Sequence, residues 1–224
     1  NDVKCIFSDK RHNIWIGLDN GITFLGWNDA VKRISPTIFN RAPGYGCTVY
    51  AGKLYFALAN GIYTLPFQDN MDISSYSSQP NKIAADLSWN VSNLGSHLFT
   101  GREDGLYEII NDKLVSIDKK TGYWLAEPLS KPNEKFLFAA GNYLGLSFFK
   151  ENNGAFIPDG NFTLLNASSR FLAYDSLIQV IWVSHPYRGV YKVSLSEQTV
   201  TLLTSKNGLP SNLDNHVFKV NNKI

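Results

Sequence analysis

One pattern recurs along this chain at an interval that few folds can use. Ile14-Trp15-Ile16-Gly17-Leu18-Asp19-Asn20-Gly21-Ile22-Thr23-Phe24-Leu25 aligns without gaps on Leu54-Tyr55-Phe56-Ala57-Leu58-Ala59-Asn60-Gly61-Ile62-Tyr63-Thr64-Leu65. Leu98-Phe99-Thr100-Gly101-Arg102-Glu103-Asp104-Gly105-Leu106-Tyr107-Glu108-Ile109 keeps the same order of aliphatic, aromatic, small residue, turn glycine and alternating segment. Two later copies, Leu137-Phe138-Ala139-Ala140 to Gly145-Leu146-Ser147-Phe148 and Ile181-Trp182-Val183-Ser184 to Gly189-Val190-Tyr191-Lys192, are one residue longer. The turn glycines Gly21, Gly61, Gly105, Gly145 and Gly189 stand 40, 44, 40 and 44 residues apart, a period of about 42. A repeat of this length that alternates as strands do is the mark of a propeller blade. A helical array would need apolar residues at 3.6 spacing, and no such run exceeds about two turns.

The expected fold class is therefore all-β: a β-propeller of about five four-stranded blades. Residues 1–224 are read as a single propeller, with approximate blades 1–40, 41–86, 87–123, 124–168 and 169–213 and the start of another at 214–224. In the first blade the strands are expected at Val3 to Phe7, Ile14 to Leu18, Ile22 to Gly26 and near Val31 to Ile34. Asn20-Gly21, Asn60-Gly61 and Asp104-Gly105 tolerate positive φ at both centres of a type I′ turn, which a two-residue hairpin requires. The small residue at Gly17, Ala57, Gly101, Ala140 or Ser184 would let blades approach closely, and the aromatic at Trp15, Tyr55, Phe99, Phe138 or Trp182 would fill the space between sheets.

Composition narrows the function classes. Of 224 residues, 44% are hydrophobic and 13% aromatic, with one Met, which suits a β-rich core. The 21 basic and 19 acidic residues are dispersed, so no footprint for nucleic acid is visible. No apolar stretch reaches the roughly 18 residues that span a bilayer, so this region is expected to be soluble and without membrane contact. Cys5 and Cys47 are too few for a disulfide framework and are read as buried thiols in strands.

Asn13-Ile14-Trp15-Ile16-Gly17-Leu18-Asp19-Asn20-Gly21-Ile22 resembles the "N-L-W-I-G-T-x-x-G-L" core of the two-component regulator propeller repeat. Gly208-Leu209-Pro210-Ser211-Asn212, followed by His216-Val217-Phe218-Lys219-Val220, is similar to the segment that precedes that core. Copies two to four replace Trp with Tyr55, Phe99 and Phe138, so the likeness rests mainly on the first and fifth copies and the 208–220 junction. The resemblance implies the periplasmic sensor region of a hybrid two-component system, an inner-membrane protein with a histidine kinase, and often a DNA-binding module, outside this region. Asn221-Asn222-Lys223-Ile224 matches the approach to the second strand of another blade and stops, so the chain is read as a fragment, and the resemblance implies that the larger propeller is seven-bladed. Open blade edges would favour association, a homodimer included.

No G-x-S-x-G, H-E-x-x-H, Gly-rich phosphate loop or Cys-x-x-Cys is present, and His12, His97, His185 and His216 lack metal-ligand spacing. No catalytic residue, metal or cofactor is therefore assigned. His12 and His97 fall at comparable turn positions of the repeat, and Glu103-Asp104 in a tight turn. Propeller ligands dock on the loops joining second to third strands and on the segments between blades. The second-to-third loops supply Arg102, Asn142, Tyr143, His185, Tyr187 and Arg188, and the blade-to-blade segments Arg41, Tyr45 and Trp124. Rings and planar hydrogen-bonding groups suit a sugar, whose apolar face stacks while its hydroxyls need polar partners, and an acidic sugar or sulfate would also want Arg. The expected function is extracytoplasmic sensing of an oligosaccharide or other small molecule, coupled to transcription. A propeller lyase or a protein-interaction scaffold remain the alternatives, since fold does not fix function.

Overall fold

The computed structural model describes residues 2–26, 37–68, 79–129, 137–221 and 223–224. These residues are almost wholly antiparallel β-structure, in sheets whose strands follow chain order. The first sheet contains β1 (Val3–Ser8), β2 (Ile14–Leu18) and β3 (Gly21–Leu25). The second contains β4 (Gly44–Tyr50), β5 (Lys53–Leu58), β6 (Gly61–Pro66) and β7 (Asn81–Ala85). Then come β8 (Ser88–Leu94), β9 (His97–Arg102), β10 (Gly105–Ile110) and β11 (Lys113–Asp118), and β12 (Tyr123–Pro128), β13 (Leu137–Asn142), β14 (Leu146–Asn152) and β15 (Ala155–Asn161). The last sheet holds β16 (Phe171–Asp175), β17 (Val180–His185), β18 (Gly189–Ser194) and β19 (Thr199–Leu203). The outer strand expected near Val31 to Ile34 lies outside the described residues.

The chain divides into two compact units, Asn1–Ser35 with Asn70–Ser77, and Pro36–Asp69 with Ser78–Ile224. In the smaller one, Trp15 and Phe24 face each other across β2 and β3 at 4.7 Å, and Asp9 accepts hydrogen bonds from the Trp15 indole and the Asn13 amide. In the larger one, four sheets succeed each other and their first strands, β4, β8, β12 and β16, touch in that order. Apolar residues from facing sheets close each gap. Tyr55, Ala57 and Ile62 meet Val91, Leu98 and Ile109, Phe99 and Leu106 meet Phe138, Ala140 and Phe149, and Ala139 and Leu146 meet Leu172, Ile181 and Val183. Each Val, Leu, Ile or Phe among them contributes about 1.5–3 kcal/mol when fully withdrawn from water.

The repeat aligned in sequence is displaced by one residue in its fourth copy. Gly101 pairs with Leu106 and Gly141 with Leu146, so Gly141, rather than Ala140, is the counterpart of Gly101. Ala139 then matches Phe99, and Phe138 fills the gap from the opposite face, against Phe99 at 4.7 Å. Close approach explains the glycines: a Cβ on Gly101 would collide with the carbonyls of Tyr123 and Trp124, and one on Gly141 with that of Ser169. Trp15 is 41% exposed, and Trp182 is half-buried, so neither fills a gap as Tyr55 and Phe99 do.

The hairpin turns also differ from expectation. Leu18 pairs with Gly21, Leu58 with Gly61 and Arg102 with Gly105, so Asp19-Asn20, Ala59-Asn60 and Glu103-Asp104 are the central residues, and none of them has positive φ. The glycine instead opens the third strand, where at Gly61 and Gly105 the fourth strand's carbonyl, from Ala84 or Asp118, occupies the space of a Cβ. Positive φ at both central residues occurs at Ala51-Gly52, Asn111-Asp112 and Asn153-Gly154. Cys5 and Cys47 are exposed rather than buried, because the first strands β1 and β4 leave much of their surface open. His97 begins β9 rather than a turn, with Nδ1 2.7 Å from Glu108.

A polar clamp joins the second and third sheets. Asp112 in the β10–β11 turn accepts hydrogen bonds from the Lys53 ammonium and, at 2.8 Å, from the Tyr55 hydroxyl. Burial raises the Asp112 pKa, but these donors outweigh it and hold it below the usual carboxylate value. A depressed carboxylate pKa stabilises the fold above its unfolded value and loses that contribution as pH falls through the folded one. Asp112→Asn should thus lower the urea midpoint at pH 7, with the difference from wild type shrinking below about pH 4. Gly101→Ala should cost about 1–3 kcal/mol in urea unfolding, as overpacking does. Gly95→Asn, at a positive φ with open space around it, should change stability by less than about 0.5 kcal/mol.

Candidate functional site

The first strands of three successive sheets carry the same irregularity. The register slips between Gly44 and Gly46 in β4, between Ser88 and Asn90 in β8, and between Tyr123 and Leu125 in β12. The extra residue at each slip is Tyr45, Trp89 or Trp124. A β-bulge bends its strand and redirects one side chain, so in these three sheets it delivers an aromatic ring at corresponding places, whereas the same slip in β1 carries Lys4.

These rings form a ladder. Tyr45 lies 5.0 Å from Trp89, Trp89 4.6 Å from Trp124, and Trp124 4.8 Å from Tyr143, all tilted or edge-on. Both indole N–H groups are satisfied within the fold: the Trp89 indole donates to the Tyr143 hydroxyl at 2.8 Å, and the Trp124 indole to Ser168 Oγ at 2.9 Å. Locked indoles keep their orientation, so the ladder is a preformed surface.

Tyr45, Trp89 and Trp124 line a cleft of about 470 Å³ together with Arg170, Phe171 and Phe218. Asn90, Ser92 and Asn93 add hydrogen-bonding groups along one wall, and Glu127 and Lys219 add charge. Glu127 accepts the Tyr174 amide at 3.1 Å, and Lys219 donates to the Tyr174 carbonyl at 3.1 Å. Burial pushes the Glu127 carboxyl above its ordinary pKa, against the opposing pull of the Tyr174 amide and Lys219. Phe171 stacks at 4.0 Å on His216, which holds the segment after the last sheet beside the cleft. Among the described residues no three His, Cys, Asp or Glu side chains gather as a metal site would require.

The residues singled out in the sequence go to different places. Tyr45 and Trp124 are rungs of the ladder, and Tyr143 backs it through Trp89. Asn142 is 3% exposed, its amide group donating to Ser147 and its side-chain carbonyl accepting from the Leu144 and Gly145 amides, so it braces its own hairpin. Arg102 donates to the Ala85 carbonyl at 3.0 Å and reaches Asp104 and Asp86 at 3.4 and 3.6 Å, bridging neighbouring sheets. Arg41 is exposed in the turn ahead of β4. His185, Tyr187 and Arg188 sit together on the β17–β18 turn, outside the residues that line the cleft, with Tyr187 73% exposed. His185 accepts the Tyr187 amide, and burial, aided by Arg188, lowers its pKa.

Trp89, Arg170, Phe171 and Phe218 were missed. The repeat was read on its second and third strands, whereas these residues lie on or beside first strands or in the segment after the last sheet. A signal existed in Gly44-Tyr45-Gly46, Ser88-Trp89-Asn90 and Tyr123-Trp124-Leu125, which share an aromatic just inside the first strand.

No protein-family model matches the sequence, and no curated protein does. Solved structures do match. The extracellular domain of the putative hybrid two-component system BT3049 from B. thetaiotaomicron aligns at TM-score 0.64 and 16% identity, over 98% of this chain and 31% of that one. The corresponding domain of BT4673 from the same organism aligns at TM-score 0.59 and 16% identity, over 98% and 33%. PorZ, a surface component of the type-IX secretion system of Porphyromonas gingivalis, aligns at 0.52 and 15%, over 95% and 35%. The chain thus spans about a third of the length of each of these structures. At such identities the likeness is one of architecture, and with the sheet order and the 42-residue repeat it makes this chain an all-β protein of the β-propeller fold, shared with the extracellular domains of hybrid two-component sensors.

Proposed function

We propose that the chain is part of the periplasmic sensor region of a hybrid two-component system, and that its ligand is a carbohydrate held on the Tyr45–Trp89–Trp124 ladder. The observation that carries this reading is the repeated bulge that brings three rings into one cleft. A pyranose presents apolar C–H faces to such rings and hydroxyls to neighbouring amides, and Asn90 and Asn93 border the same space. The fold shared with sensor ectodomains supports the signalling half of the proposal. In this reading the five sheets are consecutive blades of one propeller, and the kinase and transcriptional output reside elsewhere in a longer protein. The ligand would bias the arrangement of that protein by binding its states unequally.

Isothermal titration of the chain against a panel of neutral and acidic oligosaccharides tests the assignment. At least one should bind, and Trp124→Ala should weaken it about 10- to 100-fold, the loss typical of a stacked aromatic anchor. Tyr187→Ala, which removes an exposed ring outside the cleft, should change the affinity by less than about threefold. Absence of binding to every member, with circular dichroism showing intact β-structure, would remove the carbohydrate reading.

A further inference from the structure

We propose that the cleft selects a ligand bearing an anionic group, a carboxylate or a sulfate ester, and that Arg170 is the residue that reads it. This rests on the cleft being a carbohydrate site and adds the chemical class of the sugar. Arg170 stands just before β16, and its guanidinium carbon lies 5.2 Å from the Trp124 ring and 5.4 Å from the Phe171 ring. It makes no hydrogen bond or ion pair with any described residue, whereas Arg102, also partly buried, contacts two carboxylates and a carbonyl. A guanidinium held over two aromatic faces keeps its charge and its fork of N–H donors, which fits a carboxylate or sulfate in bidentate fashion.

The placement of Arg170 is fixed by the backbone behind it. Ser169 donates its amide to the Asn142 carbonyl at 3.0 Å, and its own carbonyl lies so close to Gly141 that only glycine fits there. Ser168 accepts the Trp124 indole, which ties the segment before Arg170 to the ladder itself. The cation therefore lies within the cleft wall, next to a ring on which a sugar would stack. Of the other charged groups lining the cleft, Lys219 and Glu127 each engage the Tyr174 backbone, whereas Arg170 has all its N–H donors free of hydrogen bonds to the described residues.

The experiment titrates the folded chain with matched oligosaccharides: a neutral oligogalactoside, an oligogalacturonate as the carboxylate arm, and a sulfated oligogalactoside as the sulfate arm. One anionic arm should bind about 10- to 100-fold more tightly than the neutral one, the ratio expected of one charge-assisted bidentate contact. That preference should weaken as NaCl is raised. In Arg170→Gln the ratio of anionic to neutral affinity should fall to near 1, and in Arg170→Lys, which keeps the charge but not the fork, it should lie between. Thermal unfolding of each variant establishes that the comparison is between folded proteins. Equal or tighter binding of the neutral sugar by wild type would overturn the anion proposal while leaving the carbohydrate site in place. An anionic preference that survives Arg170→Gln would overturn the role of Arg170. Failure of all three to bind would sink the proposal together with the carbohydrate reading beneath it.

Discussion

Face-to-face packing of successive sheets is the constraint on which the larger unit depends. Each sheet is apolar on both faces, so none can be stable alone. Tyr55 and Ala57 need Leu98 and Val91, and Phe99 needs Phe138. Packing must also be close near the first strands, where backbone meets backbone: the Gly101 position abuts the Tyr123 and Trp124 carbonyls, and Gly141 abuts that of Ser169. A side chain at either point would force the sheets apart and forfeit dispersion contacts along the whole gap.

That same proximity builds the cleft. Because first strands of neighbouring sheets touch, bulged residues at corresponding places come within ring-to-ring distance, and Tyr45, Trp89 and Trp124 become continuous. A bulge in one isolated sheet would only expose a ring. The first strands thus serve both purposes: Val91, Tyr123 and Leu172 join the inter-sheet core, while the bulged Tyr45, Trp89 and Trp124 line the cleft. The polar clamp Lys53–Asp112–Tyr55 works across the interface of the second and third sheets, from β5 to the β10–β11 turn.

Turn chemistry shows how a correct local signal can be given the wrong physical cause. The glycines at 21, 61 and 105 mark hairpins, as the sequence suggests, yet each stands one place beyond the two central residues. At Gly61 and Gly105 the reason lies in the neighbouring fourth strand, whose carbonyl claims the volume of a side chain. In the fourth copy of the repeat the hairpin has the same length as in the third, Gly141 pairing with Leu146 as Gly101 does with Leu106, so alignment on the aromatic falls one residue out and Phe138 faces the other way. A strand slipped by one place exchanges its faces completely, which is why alignment of aromatics placed the strand correctly but not its side chain.

Sequence alone determined the strand count per repeat, the spacing of the copies and the all-β class, because alternation and period are properties of consecutive residues. It also named Tyr45 and Trp124 among the candidate ligand residues, since an aromatic in a blade-to-blade segment is visible without coordinates. Only tertiary structure decided that these two meet through Trp89, that Arg102 and Asn142 are occupied inside the fold, and that Arg170 lies against Trp124. The ladder and the place of Arg170 depend on which sheet faces which and on one-residue slips in register, settled by contacts 35 to 46 positions apart in the chain, whereas Arg102 and Asn142 are occupied by partners 17 and 5 positions away.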